Sequence, residues 1–245
     1  MGRSRGPSTV ERDERYWDSI ADRWDDTVFN TLKHDRGGVI VGELKRVARR
    51  VRTIADYGCG TGLYLPTLCK LFDEVHGFDL SPECIEVARR RLPKGAEIML
   101  RAGKSTPRAC YGRFDAVLCV NAAIHPGRRQ WRSVLKSARS LLSSRGELIL
   151  VVPALESACL LTAAAEARDD DSARLARGSV VVLDGEPVQH FTRALLAEEL
   201  DRLDLAVSRI KPVHYSWASH GIVPPNTLKH LKLWDWLAVA RPAVV

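Results

Sequence analysis

The chain is predicted to be α/β, with helices wound on both faces of a mostly parallel sheet, a helical cap at the N-terminus and an insertion after the fifth strand. Three observations carry this prediction. Short apolar runs alternate with helical patterns between residues 52 and 152, and strands that alternate with helices need crossover connections, hence parallel neighbours of one handedness. The first such run leads straight into "YGCGTG", with glycines at 58, 60 and 62, a strand-to-helix turn of the kind that holds ligands at the carboxyl end of an open sheet. The rhythm then lapses at residues 155–190, where an Ala-rich stretch precedes "GSVVVLDGEPVQHF".

The elements follow in order. Residues 1–12 are charged and turn-rich, lead into no hydrophobic segment of a secretory signal, and are expected to form a disordered tail. Apolar residues recur at 16, 20, 24 and 28, so an amphipathic helix is expected there, with a second over about 38–50. Strands are expected at 52–57, 74–79, 96–101, 114–120 and 146–152. Between them, Ser81 and Pro82 supply an N-cap and a first helical position, and residues 128–142 place Trp131, Val134, Leu135, Ala138, Leu141 and Leu142 on one stripe. The Ala-rich stretch predicts a helix over roughly 155–177, Asp184-Gly185 a hairpin turn, "TRALLAEELDRL" a helix, and "LAVSRIKPV" and "WDWLAVA" the closing strands. One domain is expected: cap helices at 13–50, a core at 51–154, an insertion at 155–190 laid over the sheet edge, and the rest of the sheet at 191–245.

Composition narrows the function classes. No apolar run approaches the roughly 20 residues of a membrane span, so no membrane partner is expected. The six cysteines form no C-x-x-C pair, as in reduced cytosolic chains, so a cytoplasmic location and no metal site are expected. The net charge of +7 is dispersed in pairs such as Arg49-Arg50 and Arg128-Arg129 and is not interleaved with aromatics, which makes a nucleic-acid partner an unfavoured reading. Oligomeric state is not readable.

The glycine spacing separates cofactor classes. A dinucleotide loop needs G-x-G-x-x-G, but residues 63 and 65 are leucines, and no Gly-Lys-Ser/Thr of a phosphate loop follows. The pattern is instead D-x-G-C-G-T-G, followed by Asp79 at the end of the next strand, where a carboxylate can accept ribose hydroxyls, and by "SPE" opening the next helix. Together these resemble motif I and the motif II acid of the class I S-adenosylmethionine-dependent methyltransferases, which have a Rossmann-like seven-stranded sheet.

The resemblance implies S-adenosylmethionine as cofactor and S-adenosylhomocysteine as product. It places Asp56 at the loop and the methionyl ammonium, and Gly58, Cys59, Gly60, Thr61 and Gly62 along the cofactor. Asp79 would bind the ribose, with Leu80 flanking the adenine. The family's adenine-binding acid is missing after the third strand, where Ala102 and Gly103 stand, so adenine recognition would fall to backbone and apolar contact. "RYWDSIADRW" is similar to the covering helix of bacterial small-molecule enzymes of the family, so Tyr16, Trp17 and Trp24 are candidates to cover the cofactor and face its sulfonium.

"FDAVLCVNAAIHP" is similar to the family's fourth strand and the loop beyond it, which puts Asn121 beside the cofactor and His125 near the methyl group. His125 and His190 are the candidate general bases, needed only if the acceptor must lose a proton; for each, a structural role is the competing reading. Tyr215, Trp217 and His220 are further candidates to face the acceptor. The expected reaction is methyl transfer to O or N of a small molecule. The alternatives are an RNA or protein methyltransferase and a non-catalytic S-adenosylmethionine-binding regulator, the latter favoured if the 155–190 insertion blocks the acceptor pocket. A nicotinamide oxidoreductase is disfavoured by the glycine spacing.

Overall fold

The computed structural model describes residues 8–169, 172–183 and 185–243. Its helices are α1 (Thr9–Ile20), α2 (Trp24–Thr27), α3 (Thr31–His34), α4 (Val39–Ala48), α5 (Leu65–Leu71), α6 (Pro82–Arg91), α7 (Arg128–Leu141), α8 (Leu155–Glu166) and α9 (Arg193–Asp201). Its strands are β1 (Thr53–Tyr57), β2 (Glu74–Asp79), β3 (Ile98–Ala102), β4 (Phe114–Val120), β5 (Leu142–Pro153), β6 (Ala173–Arg177), β7 (Val180–Leu183), β8 (Glu186–Gln189), β9 (Leu205–Tyr215) and β10 (Leu233–Pro242).

Seven strands form the main sheet in the order β3-β2-β1-β4-β5-β10-β9. The first five run parallel, while β10 is antiparallel to both β5 and β9. The strand order reverses between β1 and β4, which opens a crevice at the carboxyl edge. On one face, Ile40 and Leu44 of α4, Leu65 and Leu68 of α5, and Ile85 and Ala88 of α6 pack into a buried cluster with Ile54 and Leu118 of the sheet. On the other face, Trp131, Leu135 and Ala138 of α7 and Leu196 and Leu200 of α9 pack on Val117, Leu148 and Leu150. The predicted doubly wound sheet is thus the one observed.

Three expectations change at the borders. Residues 9–12, expected in the tail, belong to α1, because Ser8 and Glu11 form a reciprocal capping box; residues 1–7 lie outside the described part. The helix expected through Val28 breaks into α1, a 3₁₀ turn at Ala21–Arg23, and α2, because the cap must bend to keep Trp17 and Trp24 on the same neighbours, Cys84 and Val87 of α6. The helix expected through residue 177 stops at Glu166, and residues 173–177 form β6 of a separate antiparallel sheet in the order β6-β7-β8. The apolar run Val180–Leu183 offers β6 a partner, and strand pairing there overrides the helix expected from composition. Asp184 of the expected turn, and Asp170 and Asp171, lie outside the described residues.

Candidate active site

The strand ends set the site. Along the carboxyl edge stand, in sheet order, Ala102, Asp79, Asp56, Asn121, Pro153, Asp235 and Tyr215, and all but the last two come from the parallel strands or the residue just past them. All seven line one cavity of about 1710 Å³, larger than the ~300–1,000 Å³ of an ordinary small-molecule pocket and roomy enough for two ligands side by side. The helical cap covers it through Asp13, Tyr16, Trp17, Trp24, Phe29 and His34, and the insertion walls it through Ser157, Leu161, Glu186 and His190. The insertion borders the cavity and does not fill it.

The glycine loop is built for protein contacts as much as for a ligand. All three glycines have positive φ, +76° at Gly58, +51° at Gly60 and +83° at Gly62. A Cβ on Gly58 would stand 2.3 Å from Ala122, one on Gly60 2.6 Å from the Trp24 ring, and one on Gly62 3.0 and 3.1 Å from Leu65 and Ala88. The side-chain positions are therefore taken by the loop after β4, the cap and α6. Gly58 and Cys59 line the cavity. Gly62 packs into the helices behind it, and Thr61 is fully buried and receives a hydrogen bond from Arg91 at 2.9 Å.

Two acids face the cavity on this side. Asp56 is fully desolvated, its Oδ2 has no hydrogen-bond partner, and burial with help from Asp79 pushes its pKa up to about 8. Asp79 accepts the backbone N–H of Gly60 on Oδ2 at 2.8 Å and that of Ser81 on Oδ1 at 2.9 Å; burial raises its pKa and these amides pull it back. It thus shapes the glycine loop as well as facing the cavity beside Leu80, Ala102 and Gly103.

The cap is pinned above them by charge. Asp18 accepts from Ser81 Oγ at 2.5 Å, and Arg91 holds both oxygens of Asp25 at 3.1 and 2.9 Å while also donating to Thr61. Trp17 and Trp24 lie 5.7 Å apart, and Tyr16 meets Trp17 edge-on at 5.0 Å. All three residues line the cavity.

The two candidate bases are occupied differently. His125 accepts the Gly127 N–H on Nδ1 at 2.8 Å, and its Nε2 lies 3.5 Å from Asp13 of α1, so both ring nitrogens meet protein groups and the ring ties the loop after β4 to the cap. His190 is buried, its Nδ1 sits 3.0 Å from the Val188 carbonyl, and burial holds its pKa down to about 4. It faces the cavity as a neutral imidazole.

Sequence reasoning missed a buried carboxylate on the β9–β10 side of the cavity. Asp235, 8% exposed, accepts from Asn121 Nδ2 and from Tyr215 Oη, each at 3.0 Å and both on Oδ2. Asn121 reaches it from a left-handed backbone position, φ +48°, a conformation that asparagine tolerates better than other side chains. Phe29 lies next to this group, edge-on to Tyr215 at 4.9 Å and stacked between His220 at 4.4 Å and His34 at 5.1 Å. Burial pushes the His220 pKa down to about 4. The available signal was an acid set between two tryptophans in an otherwise apolar strand, "LWDWLAVA".

Comparison with known proteins agrees with this architecture. Residues 54–146, which carry β1 to β4, the glycine loop and Asp79, match a family model described as a methyltransferase domain. It is 30% identical over 91 residues to dTDP-3-amino-3,6-dideoxy-alpha-D-glucopyranose N,N-dimethyltransferase of Streptomyces fradiae, covering 37% of this chain and 34% of that protein. It is 29% identical over 140 residues to ubiquinone biosynthesis O-methyltransferase of Xanthomonas axonopodis pv. citri, covering 54% of this chain and 56% of that one. A probable tRNA methyltransferase 9B of Bos taurus is 35% identical over 106 residues, covering 42% of this chain and 22% of that protein. The chain therefore spans about half or less of the length of these relatives. In fold it is similar to 1,6-didemethyltoxoflavin-N1-methyltransferase of Burkholderia thailandensis, with TM-score 0.62 and 17% identity over 99% of this chain and 94% of that one. It is also similar to magnesium protoporphyrin IX methyltransferase of Synechocystis PCC 6803, with TM-score 0.61 and 15% identity over 98% of this chain and 100% of that one.

Proposed function

We propose that the protein transfers a methyl group from S-adenosylmethionine to O or N of a small-molecule acceptor. The observation that carries this reading is the single covered cavity whose floor divides at the β1/β4 crevice, with acids and backbone on the β1–β3 side and a buried polar trio on the β9–β10 side. Asp56, buried and lacking a partner on Oδ2, suits an ammonium; Asp79 suits ribose hydroxyls; Tyr16, Trp17 and Trp24 offer aromatic faces to a sulfonium. When bound, the cofactor supplies an activated methyl, so the protein's part is to align an acceptor lone pair with it and exclude water.

The cap does the second task through its contacts to α6, and the strand ends beyond β4 do the first. The described residues of the insertion border the cavity without filling it, which favours an enzyme over a non-catalytic binder. Much of the basic charge is spent elsewhere: Arg46, Arg50 and Arg241 surround buried Glu147 at the opposite edge of the sheet, and Arg128, Arg132 and Arg202 surround buried Glu199. This dispersal, with the enclosed cavity, supports a small acceptor over a nucleic acid. The Streptomyces relative is named for an amino sugar and the Xanthomonas relative for an O-methyltransferase, and both reactions fit a cavity of this size.

Calorimetric titration with S-adenosylhomocysteine, followed by transfer of labelled methyl from S-adenosylmethionine to a metabolite extract and separately to total tRNA, tests the reading. Binding of S-adenosylhomocysteine with label in small molecules is the expected result. Absence of binding, or label confined to tRNA, would overturn it.

A further inference from the structure

Asp235 lines the β9–β10 side of the cavity, and its surroundings are unbalanced. Its Oδ2 takes hydrogen bonds from Asn121 and Tyr215, both neutral donors. Oδ1 has no partner among the described residues and is not sealed from the cavity that Asp235 lines. Tyr64 and Asp35 act electrostatically on Tyr215 at this corner, and His220 and His34 stack on Phe29 beside it, both with pKa values pushed down by burial, His220 to about 4. Among the described residues no lysine or arginine forms an ion pair with Asp235, and a buried carboxylate is costly unless a cation meets it.

We propose that the acceptor is an amine, and that Asp235 receives the proton its nitrogen must lose before methyl transfer. The inference rests on the methyltransferase reading above and narrows it from O or N to nitrogen. An ammonium entering this corner pairs with Asp235 Oδ1, the countercharge that the buried carboxylate lacks. Hydroxyls and carboxylic acids bring no such countercharge.

The proton inventory closes. The ammonium gives one proton to the Asp235 carboxylate, leaving a neutral amine with a free electron pair. That pair forms the new N–C bond as the C–S bond of the sulfonium breaks with its electrons going to sulfur, and Asp235 later releases its proton to water. Burial makes the first step accessible, because desolvation lowers the pKa of an ammonium and raises that of a carboxyl. Asp235 follows this rule: burial pushes it up to about 6, against the opposing pull of Asn121 and Tyr215. The histidines serve this role less well, since His125 has both ring nitrogens engaged and His190 is held too weakly basic.

The test uses the full chain saturated with S-adenosylhomocysteine and three probes of matched size, phenylethylamine, 4-ethylphenol and 3-phenylpropionate, titrated calorimetrically. The expected result is at least about tenfold preference for the amine. In Asp235→Asn, which keeps acceptors for Asn121 and Tyr215, that preference disappears while S-adenosylhomocysteine affinity stays within about twofold. Tyr215→Phe removes one donor to the charged carboxylate, so the pH midpoint of amine binding moves upward, a shift that a merely structural tyrosine would not produce. Equal binding of the probes, preference for the phenol or the acid, no amine binding, or an unchanged preference in Asp235→Asn overturns the proposal. Loss of S-adenosylhomocysteine binding by the unmodified chain would instead overturn the methyltransferase reading on which it rests.

Discussion

The indole of Trp24 occupies the place where a side chain on Gly60 would be: a Cβ there would stand 2.6 Å from Cζ2 and 2.7 Å from Cη2 of the ring. The glycine loop and the cap are therefore fitted to each other directly.

Gly60→Ala meets two penalties, a positive φ and this contact. The substitution is expected to destabilise the protein by roughly 1–3 kcal/mol. Combining it with Trp24→Ala should return the steric part and leave the backbone part, so urea unfolding of both single variants and the double variant should show a coupling of at least about 0.5 kcal/mol. Strict additivity would mean that the ring does not set the loop.

Asp56 should make the free protein less stable as pH rises. Its folded pKa, about 8, lies above that of a solvated carboxyl near 4, so the native state holds the proton more tightly than the unfolded chain does. The stability it contributes is full below about pH 4 and is lost as pH climbs through about 8. Asp56→Asn should flatten the urea midpoint across that window and weaken S-adenosylhomocysteine binding, whose ammonium needs the carboxylate. An unchanged pH dependence in the variant would refute this account.

Arg91 joins Asp25 of the cap to Thr61 of the glycine loop. The ion pair is largely exposed, so Arg91→Ala should cost no more than roughly 1 kcal/mol of global stability. Its effect should instead be local, seen as faster hydrogen exchange in residues 9–34 and faster dissociation of S-adenosylhomocysteine. Uniform exchange changes across the chain would argue against a latch.

Glu147 is 4% exposed and sits among Arg46, Arg50 and Arg241; against the upward pull of its own burial, Arg46 and Arg241 hold its pKa below the ordinary value. Glu147→Gln leaves these guanidinium groups around a neutral amide. A loss of about 2–3 kcal/mol is expected, measured by thermal unfolding, with cofactor affinity unchanged because the cluster lies at the far edge of the sheet.

The part of the cavity proposed to hold the donor was legible in the sequence because it is local. Asp56, the glycines and Asp79 belong to one βαβ unit whose alternation and turn residues are visible together. The trio proposed for the acceptor was not, because Asn121, Tyr215 and Asp235 meet only after β9 and β10 return at the sheet edge, and periodicity carries no information on such pairings. The glycines teach a finer point. Their spacing showed that side chains had to be absent, but Ala122, Trp24 and Ala88, the neighbours that require the absence, come from elsewhere in the chain. His125 and His190 were chosen for the range in which imidazole titrates, and the fold gives one two protein partners and the other a desolvated berth.

The row of strand ends also bears on how such a chain can be re-engineered. The sheet residues proposed above to hold the methyl donor, Asp56 and Asp79, come from residues 53–102, a contiguous fifth of the sequence, whereas Tyr215 and Asp235 arrive on the last two strands. The two halves meet across one crevice but are encoded far apart. Exchanging the C-terminal strand pair, with Asn121 matched to it, offers a route to a different acceptor on an unaltered donor platform, much as a tool changes its bit and keeps its drive.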